Sequence, residues 1–190
     1  MDKLRFGYAL TGSFCTFSKA FEEMEKLVSS YIEVYPIMSY NAEKTDTRFG
    51  KGEDFVKRAE SLTGNKVISS LTEAEPVGPK KMFDLLIVSP CTGNTLSKLA
   101  NGIYDTPVTL AVKSHLRNQR AVLIGVSTND ALSTSAKNIG TLLNYKNYYF
   151  IPMGQDSPET KPFSLVCDFS KTYDAALLAL SGKQMQPIFC

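Results

Sequence analysis

Phe83-Asp84-Leu85-Leu86-Ile87-Val88 runs directly into Ser89-Pro90-Cys91-Thr92-Gly93-Asn94-Thr95-Leu96-Ser97-Lys98-Leu99-Ala100-Asn101-Gly102-Ile103-Tyr104-Asp105. The first six residues are a short apolar run of strand type. Leu96, Leu99, Ala100 and Ile103 then recur three and four residues apart, one face of a helix. Between the two lies a turn of small hydroxyl, amide and glycine residues in which Asn94 or Thr95 can cap the helix. A strand ending in such a turn aims free backbone N–H groups at one place. In an open parallel sheet that place is the carboxyl edge, where ligands bind. A plain strand–helix junction with a polar cap would carry the same signature, so the other strand ends have to decide between the two.

Leu4–Leu10 reads as a first strand, closed by Thr11-Gly12-Ser13 and followed by a helical pattern of Phe14, Phe17, Phe21, Met24, Val28 and Tyr31. Amide donors and the positive end of the helix dipole converge on such a turn and suit an anion. With one glycine it is neither the G-x-G-x-x-G fingerprint nor a G-x-x-x-x-G-K-[ST] loop. Ile32–Met38 reads as a second strand, which Pro36 places near a sheet edge or marks with an irregularity, with Ser39 at its end. Ala121–Val126 is a buried strand ending in Ser127-Thr128-Asn129-Asp130, before a helix marked by Leu132, Ala136, Ile139 and Leu143. Tyr148–Ile151 is the last expected strand, Pro152–Phe163 a loop, and Tyr173, Ala176, Leu177 and Leu180 mark a closing helix. Alternating strands and helices predict an α/β fold: one Rossmann-like domain over residues 1–190, a parallel sheet with helices on both faces. Thr11–Ser13, Ser89–Thr95 and Val126–Asp130 would then share one edge, forming a cleft for a mononucleotide with its phosphate on the first helix.

Tyr40–Lys81 is polar and irregular, with one expected helix at Glu53–Leu62, an extended piece at Lys66–Ser69, and an extended loop at Glu73–Lys80. Arg48, Lys80, Lys81 and Lys161 are the cations that could meet an acidic substrate; solvated surface charge is the alternative for each. Pro107 opens a helix with Val108, Ala111, Val112, His115 and Leu116 on its inner side. His115 is expected to act structurally near the end of that helix, its partly charged imidazole favoured by the dipole.

With 190 residues, 43% apolar and 21% charged, the chain has an ordinary globular balance. A net charge of +2 leaves no electrostatic footprint for nucleic acid, and no apolar run suits a membrane span or a secretory signal. Four scattered cysteines and a single histidine disfavour a zinc site, a disulfide frame and Ser-His-Asp chemistry. No metal is expected, and the compartment implied is the cytoplasm.

Thr11-Gly12-Ser13, Ser39 and the Pro90–Asp105 stretch, with its proline–small–small–Asn-Thr turn and Lys-x-Ala-Asn-Gly helix, resemble the flavoprotein superfamily. That group includes homo-oligomeric flavin-containing cysteine decarboxylases and flavin prenyltransferases. The resemblance continues through Gln155-Asp156 and Lys161-Pro162 and covers nearly the whole chain. It implies FMN, with Gly12 and Ser13 at the phosphate and Ser39 beside it. Cys91, Thr92, Asn94 and Thr95 would run along the ribityl chain and ring, with Ser127 and Thr128 completing the pocket. It also implies a trimer or a multiple of one.

The departures narrow the chemistry. No histidine precedes His115, and Val126-Ser127-Thr128-Asn129-Asp130-Ala131-Leu132 keeps only Asn129 of the decarboxylases' later motif. The prenyltransferase arginine is absent from the same strand end. Cysteine decarboxylation is disfavoured, and Asn94 is the only catalytic candidate carried over. Within the superfamily the resemblance points to an oxidoreductase subunit from the mother cell of a spore-forming bacterium. Its substrate would be a small dicarboxylate, and a dehydrogenase-like partner subunit would carry NADP. The alternatives are a non-catalytic assembly subunit with a vestigial cleft, or a stand-alone FMN enzyme acting on another small acid.

Overall fold

The computed structural model describes residues 3–190. In chain order the elements are β1 (Arg5–Leu10), α1 (Phe17–Ser29), β2 (Glu33–Met38), α2 (Tyr40–Lys44), α3 (Gly52–Thr63), α4 (Leu71–Ala74) and β3 (Leu85–Cys91). They continue as α5 (Gly93–Ala100), α6 (Pro107–Leu116), β4 (Val122–Thr128), α7 (Ala136–Asn144), β5 (Tyr148–Phe150), β6 (Met153–Gly154), β7 (Leu165–Cys167) and α8 (Thr172–Leu180). All seven residues of β3 and the last five of β1 are buried, so their side chains are apolar or small on both faces. Strands of that kind belong in the middle of a parallel sheet covered on both sides. Strands β2, β1, β3, β4 and β5 pair in that order, all parallel. Helices α1 and α8 pack on one face and α5, α6 and α7 on the other. The fold expected from the sequence is the one formed.

Helix α1 buries Phe17, Ala20, Phe21, Met24 and Leu27 along one stripe. Each large side chain in it contributes about 1.5–3 kcal/mol of burial. Phe55 of α3 closes that layer, its ring edge-on to Phe17 at 4.8 Å. Pro36 lies in β2, the edge strand, as expected, and Ile68 pairs with Ile37 on the open side.

Several local expectations need correction. The outer side of β4 is shared: β5 covers Val122–Ile124, and antiparallel β7 covers Ser127 and Thr128, with β6 beyond it. Helices α2 and α4 lie in the stretch expected to hold one helix. The supposed extended loop at Glu73–Lys80 begins as a helical turn. Ser70 and Glu73 form a capping box there, and Pro76 sits in the first turn of the 3₁₀ segment Glu75–Val77, where a missing N–H costs nothing. Helix α5 starts at Gly93 with Thr92 as N-cap, ahead of Asn94 and Thr95. Leu132 is exposed ahead of α7, and Tyr31 lies beyond the end of α1 with φ 61°. His115 is buried, and its Nε2–H donates to the Ala121 carbonyl at 3.0 Å. Burial pushes its pKa down to about 4, so the ring is neutral and the expected charge–dipole role does not apply.

Among the described residues no helix is long and apolar enough to cross a membrane.

Candidate functional site

The sheet order reverses between β1 and β3, which opens a crevice at the carboxyl ends of these strands. Thr11, buried at the end of β1, fastens the crevice floor. Its hydroxyl donates to the Pro90 carbonyl at 2.8 Å and accepts from the Thr92 amide at 3.0 Å. The turn after β1 is thereby held against the turn after β3. The Ser13 and Ser127 hydroxyl oxygens lie 2.8 Å apart, and Thr16 Oγ1 stands 3.4 Å from Ser127 and donates to the Ser13 carbonyl at 2.9 Å. Thr16 and Ser127 are buried. Three hydroxyls from two strand ends thus converge at the 3₁₀ turn that leads into α1, where N-cap Ser13 makes no side-chain cap bond. A Cβ on Gly12 would meet nothing closer than Phe14 at 3.7 Å and Asn41 at 3.8 Å, so its backbone lies open. Hydroxyl donors, open backbone and a helix N-terminus together fit a phosphate.

The cleft above this cradle has a volume of about 860 Å³, within the ~300–1,000 Å³ typical of small-molecule sites. Gly93 and Asn94 form its floor, and Thr128, Asn129 and Asp130 one wall. The Asp130 carboxylate accepts from Thr128 Oγ1 at 2.6 Å and from Ser135 Oγ at 2.9 and 3.0 Å. A Cβ on Gly93 would come within 2.6 Å of Asp130 Oδ1, so this close approach requires glycine. Lys161 and Asp156 line another wall as an ion pair at 2.8 Å. The contact lowers the carboxyl pKa and raises that of the ammonium. Thr47, Arg48 and Phe49 also line the cleft, the Arg48 guanidinium 4.9 Å from the centre of the Phe49 ring. Arg48 has no ion-pair partner among the described residues.

Of the residues singled out from sequence, Gly12, Ser13, Thr92, Asn94, Ser127, Thr128, Arg48 and Lys161 come together on this cleft. The others do not line it. Ser39 is adjacent, but its hydroxyl accepts from the Ala42 amide and caps α2. Cys91 is buried in β3, and burial raises its thiol pKa far above the ordinary value. Thr95 is turned under the first turn of α5, accepting from Thr92 Oγ1 at 3.3 Å. Lys80 and Lys81 lie just ahead of β3, at the amino edge. There the Lys81 carbonyl accepts from Arg5 and Arg120. A strand that starts after them cannot bring them to the carboxyl edge.

Thr16, Phe49 and Asp130 line the cleft without having been singled out as site residues. Thr16 stands one turn beyond Ser13 and carries the same hydroxyl chemistry, a signal the sequence did offer. Asp130 was visible only as the last residue of a polar turn.

The fold and the cleft define an α/β protein with a hydroxyl-lined crevice at the carboxyl edge of its sheet, and comparison with known proteins gives it a family. The Flavoprotein family model matches residues 1–177, and the chain belongs to that family. It is 45% identical over 184 residues to the B subunit of dipicolinate synthase from Bacillus subtilis, covering 97% of this chain and 92% of the relative. The crystal structure of the corresponding B subunit from Bacillus halodurans superposes with a TM-score of 0.90 at 39% identity, covering 100% and 98% of the two chains. An FMN-dependent cysteine decarboxylase shares the fold at TM-score 0.71 and 18% identity, over 94% of this chain and 97% of the other.

Proposed function

We propose that this chain is the flavoprotein subunit of a dipicolinate synthase. In this reading it acts in the mother-cell cytoplasm with a dehydrogenase-like partner that carries NADP, and oxidises dihydrodipicolinate to dipicolinate during sporulation. The observation that carries this reading is likeness along almost the full length of both chains to two B subunits of that enzyme. The cleft is consistent with it. Ser13, Thr16, Ser127 and the open backbone at Gly12 would hold the FMN phosphate, with Thr92, Asn94 and Thr128 along the polyol and ring. Bound there, FMN supplies a two-electron redox centre.

The chain's own residues then have separable tasks. The cradle fixes the phosphate, while Arg48, with Lys161 on the same cleft, attracts the two carboxylates of a small ring acid. Charge-assisted hydrogen bonds to carboxylate are the strong kind, about 1.5–3 kcal/mol each. The cleft is open on one side, which leaves room for a partner or a second copy in a homo-oligomer. Co-expression with the candidate partner tests the reading: the purified chain should be yellow, release FMN on denaturation, and form dipicolinate from dihydrodipicolinate and NADP only when both proteins are present. A colourless chain that takes up no added flavin would point to a vestigial cleft in an assembly subunit.

A further inference from the structure

Converting a dihydropyridine into an aromatic ring removes one hydride and one proton. An enzyme doing so needs a base near the ring as well as a hydride acceptor. The titratable groups on the cleft are Cys15, Arg48, Asp130, Asp156 and Lys161. Arg48 offers only donors and has no lone pair to take a proton. Lys161 is held as the ammonium by Asp156, and Asp156 is engaged in return at 2.8 Å. Cys15 sits exposed on the outer lip, its sulfur 3.9 Å from the Ser13 hydroxyl. Several other titratable groups are sealed away from the cleft. His115 is buried and bonded to Ala121, and Tyr8, Cys91 and Cys167 are buried in the core.

Asp130 differs from all of these. Its carboxylate forms no ion pair among the described residues and is aimed by the hydroxyls of Thr128 and Ser135. Hydroxyl donors fix a carboxylate without cancelling its charge, and they leave lone pairs free to take a proton. Oδ1 accepts from both hydroxyls, whereas Oδ2 accepts from Ser135 alone, so Oδ2 is the freer oxygen. The missing side chain at Gly93 lets the group stand against the floor of the cleft.

We propose that Asp130 is the proton acceptor of the oxidation. This rests on the functional reading above. One ring C–H bond breaks with its electron pair, and the hydride passes to a two-electron acceptor of the flavin or nicotinamide class, which is reduced. A neighbouring ring bond to hydrogen breaks the other way: Asp130 Oδ2 takes the proton, and the electron pair left behind becomes the last double bond of the aromatic ring. Asp130 is then a carboxylic acid, and water in the open cleft takes the proton away.

Asp130→Asn keeps the shape and still accepts from Thr128, so fold and binding should survive while the base is lost. With the partner subunit present, turnover should fall about 10²–10⁴-fold, while pyridine-2,6-dicarboxylate binds as in the wild type by calorimetry. In Asp130→Ala, added formate or acetate should restore part of the lost rate in proportion to its concentration, which a merely structural role would not allow. Wild-type turnover and an unchanged pH profile in Asp130→Asn would overturn the assignment on their own. No dipicolinate from the wild-type pair would overturn the functional reading and this inference with it.

Discussion

At the amino edge of the sheet the polar groups are consumed by one another; at the carboxyl edge they are held but left with capacity. Asp84 accepts from the Arg5 amide at 2.9 Å and pairs with Arg120 at 3.4 Å. Arg120 also donates to the carbonyls of Phe83 and Lys81, and His115 is tied to Ala121. Every one of these contacts serves to start a strand. At the other edge, the hydroxyls of Ser13, Thr16 and Ser127 lean on one another and on the Ser13 carbonyl, and neither Arg48 nor Asp130 has an opposite charge to pair with among the described residues. Charged side chains are therefore poor guides to a site unless their position along a strand is known. Lys80 and Lys81 look as suitable as Arg48 in sequence, yet they lie at the wrong end.

The largest effect that would break this contrast is Ser13→Asp. A carboxylate facing a bound phosphate about 4 Å away costs about 4 kcal/mol at an effective dielectric near 20, so FMN affinity should drop by about three orders of magnitude and flavin should be lost on gel filtration. Undiminished retention would remove the phosphate from this turn.

The next tests the amino edge. His115 has a folded pKa of about 4 against an ordinary 6.5. Between those values the unfolded chain binds a proton that the folded chain does not. Stability is therefore full above about pH 6.5 and falls as pH drops toward 4, by on the order of 3 kcal/mol. Urea midpoints across that window should show the slope, and His115→Gln should flatten it.

Arg48→Ala compared with Lys81→Ala sharpens the contrast directly. The first should weaken dipicolinate binding at least about tenfold, in line with a lost charge-assisted bond of about 1.5–3 kcal/mol. The second should leave binding within about twofold, since surface changes rarely exceed ~0.5 kcal/mol. No loss of flavin is expected for Ser39→Ala, which removes the cap of α2 and costs about 1 kcal/mol in unfolding experiments alone.

How much could be read from sequence follows from the same physics. Strands β1, β3 and β4 are apolar along nearly their whole length because helices cover both faces, so they stand out. Strands β6 and β7 are two and three residues long, and α2 and α4 are five and four. No periodicity shows over such lengths. Glu73–Lys80 was misleading because Pro76 and Gly78 break long helices but are tolerated in a single 3₁₀ turn. The cradle was legible where one turn carries it, as at Gly12 and Ser13. Thr16, Asp130 and Phe49 become site residues only when separate turns meet in space.

In the proposed function FMN binds at the carboxyl edge, through the turns after β1, β3 and β4. Amide hydrogen exchange with and without saturating FMN tests it most directly. Protection should appear at Gly12–Thr16, Gly93–Asn94 and Ser127–Asp130, with no change around Arg5, Asp84 and Arg120. Protection confined to the amino edge, or none at either edge under saturating flavin, would contradict the account.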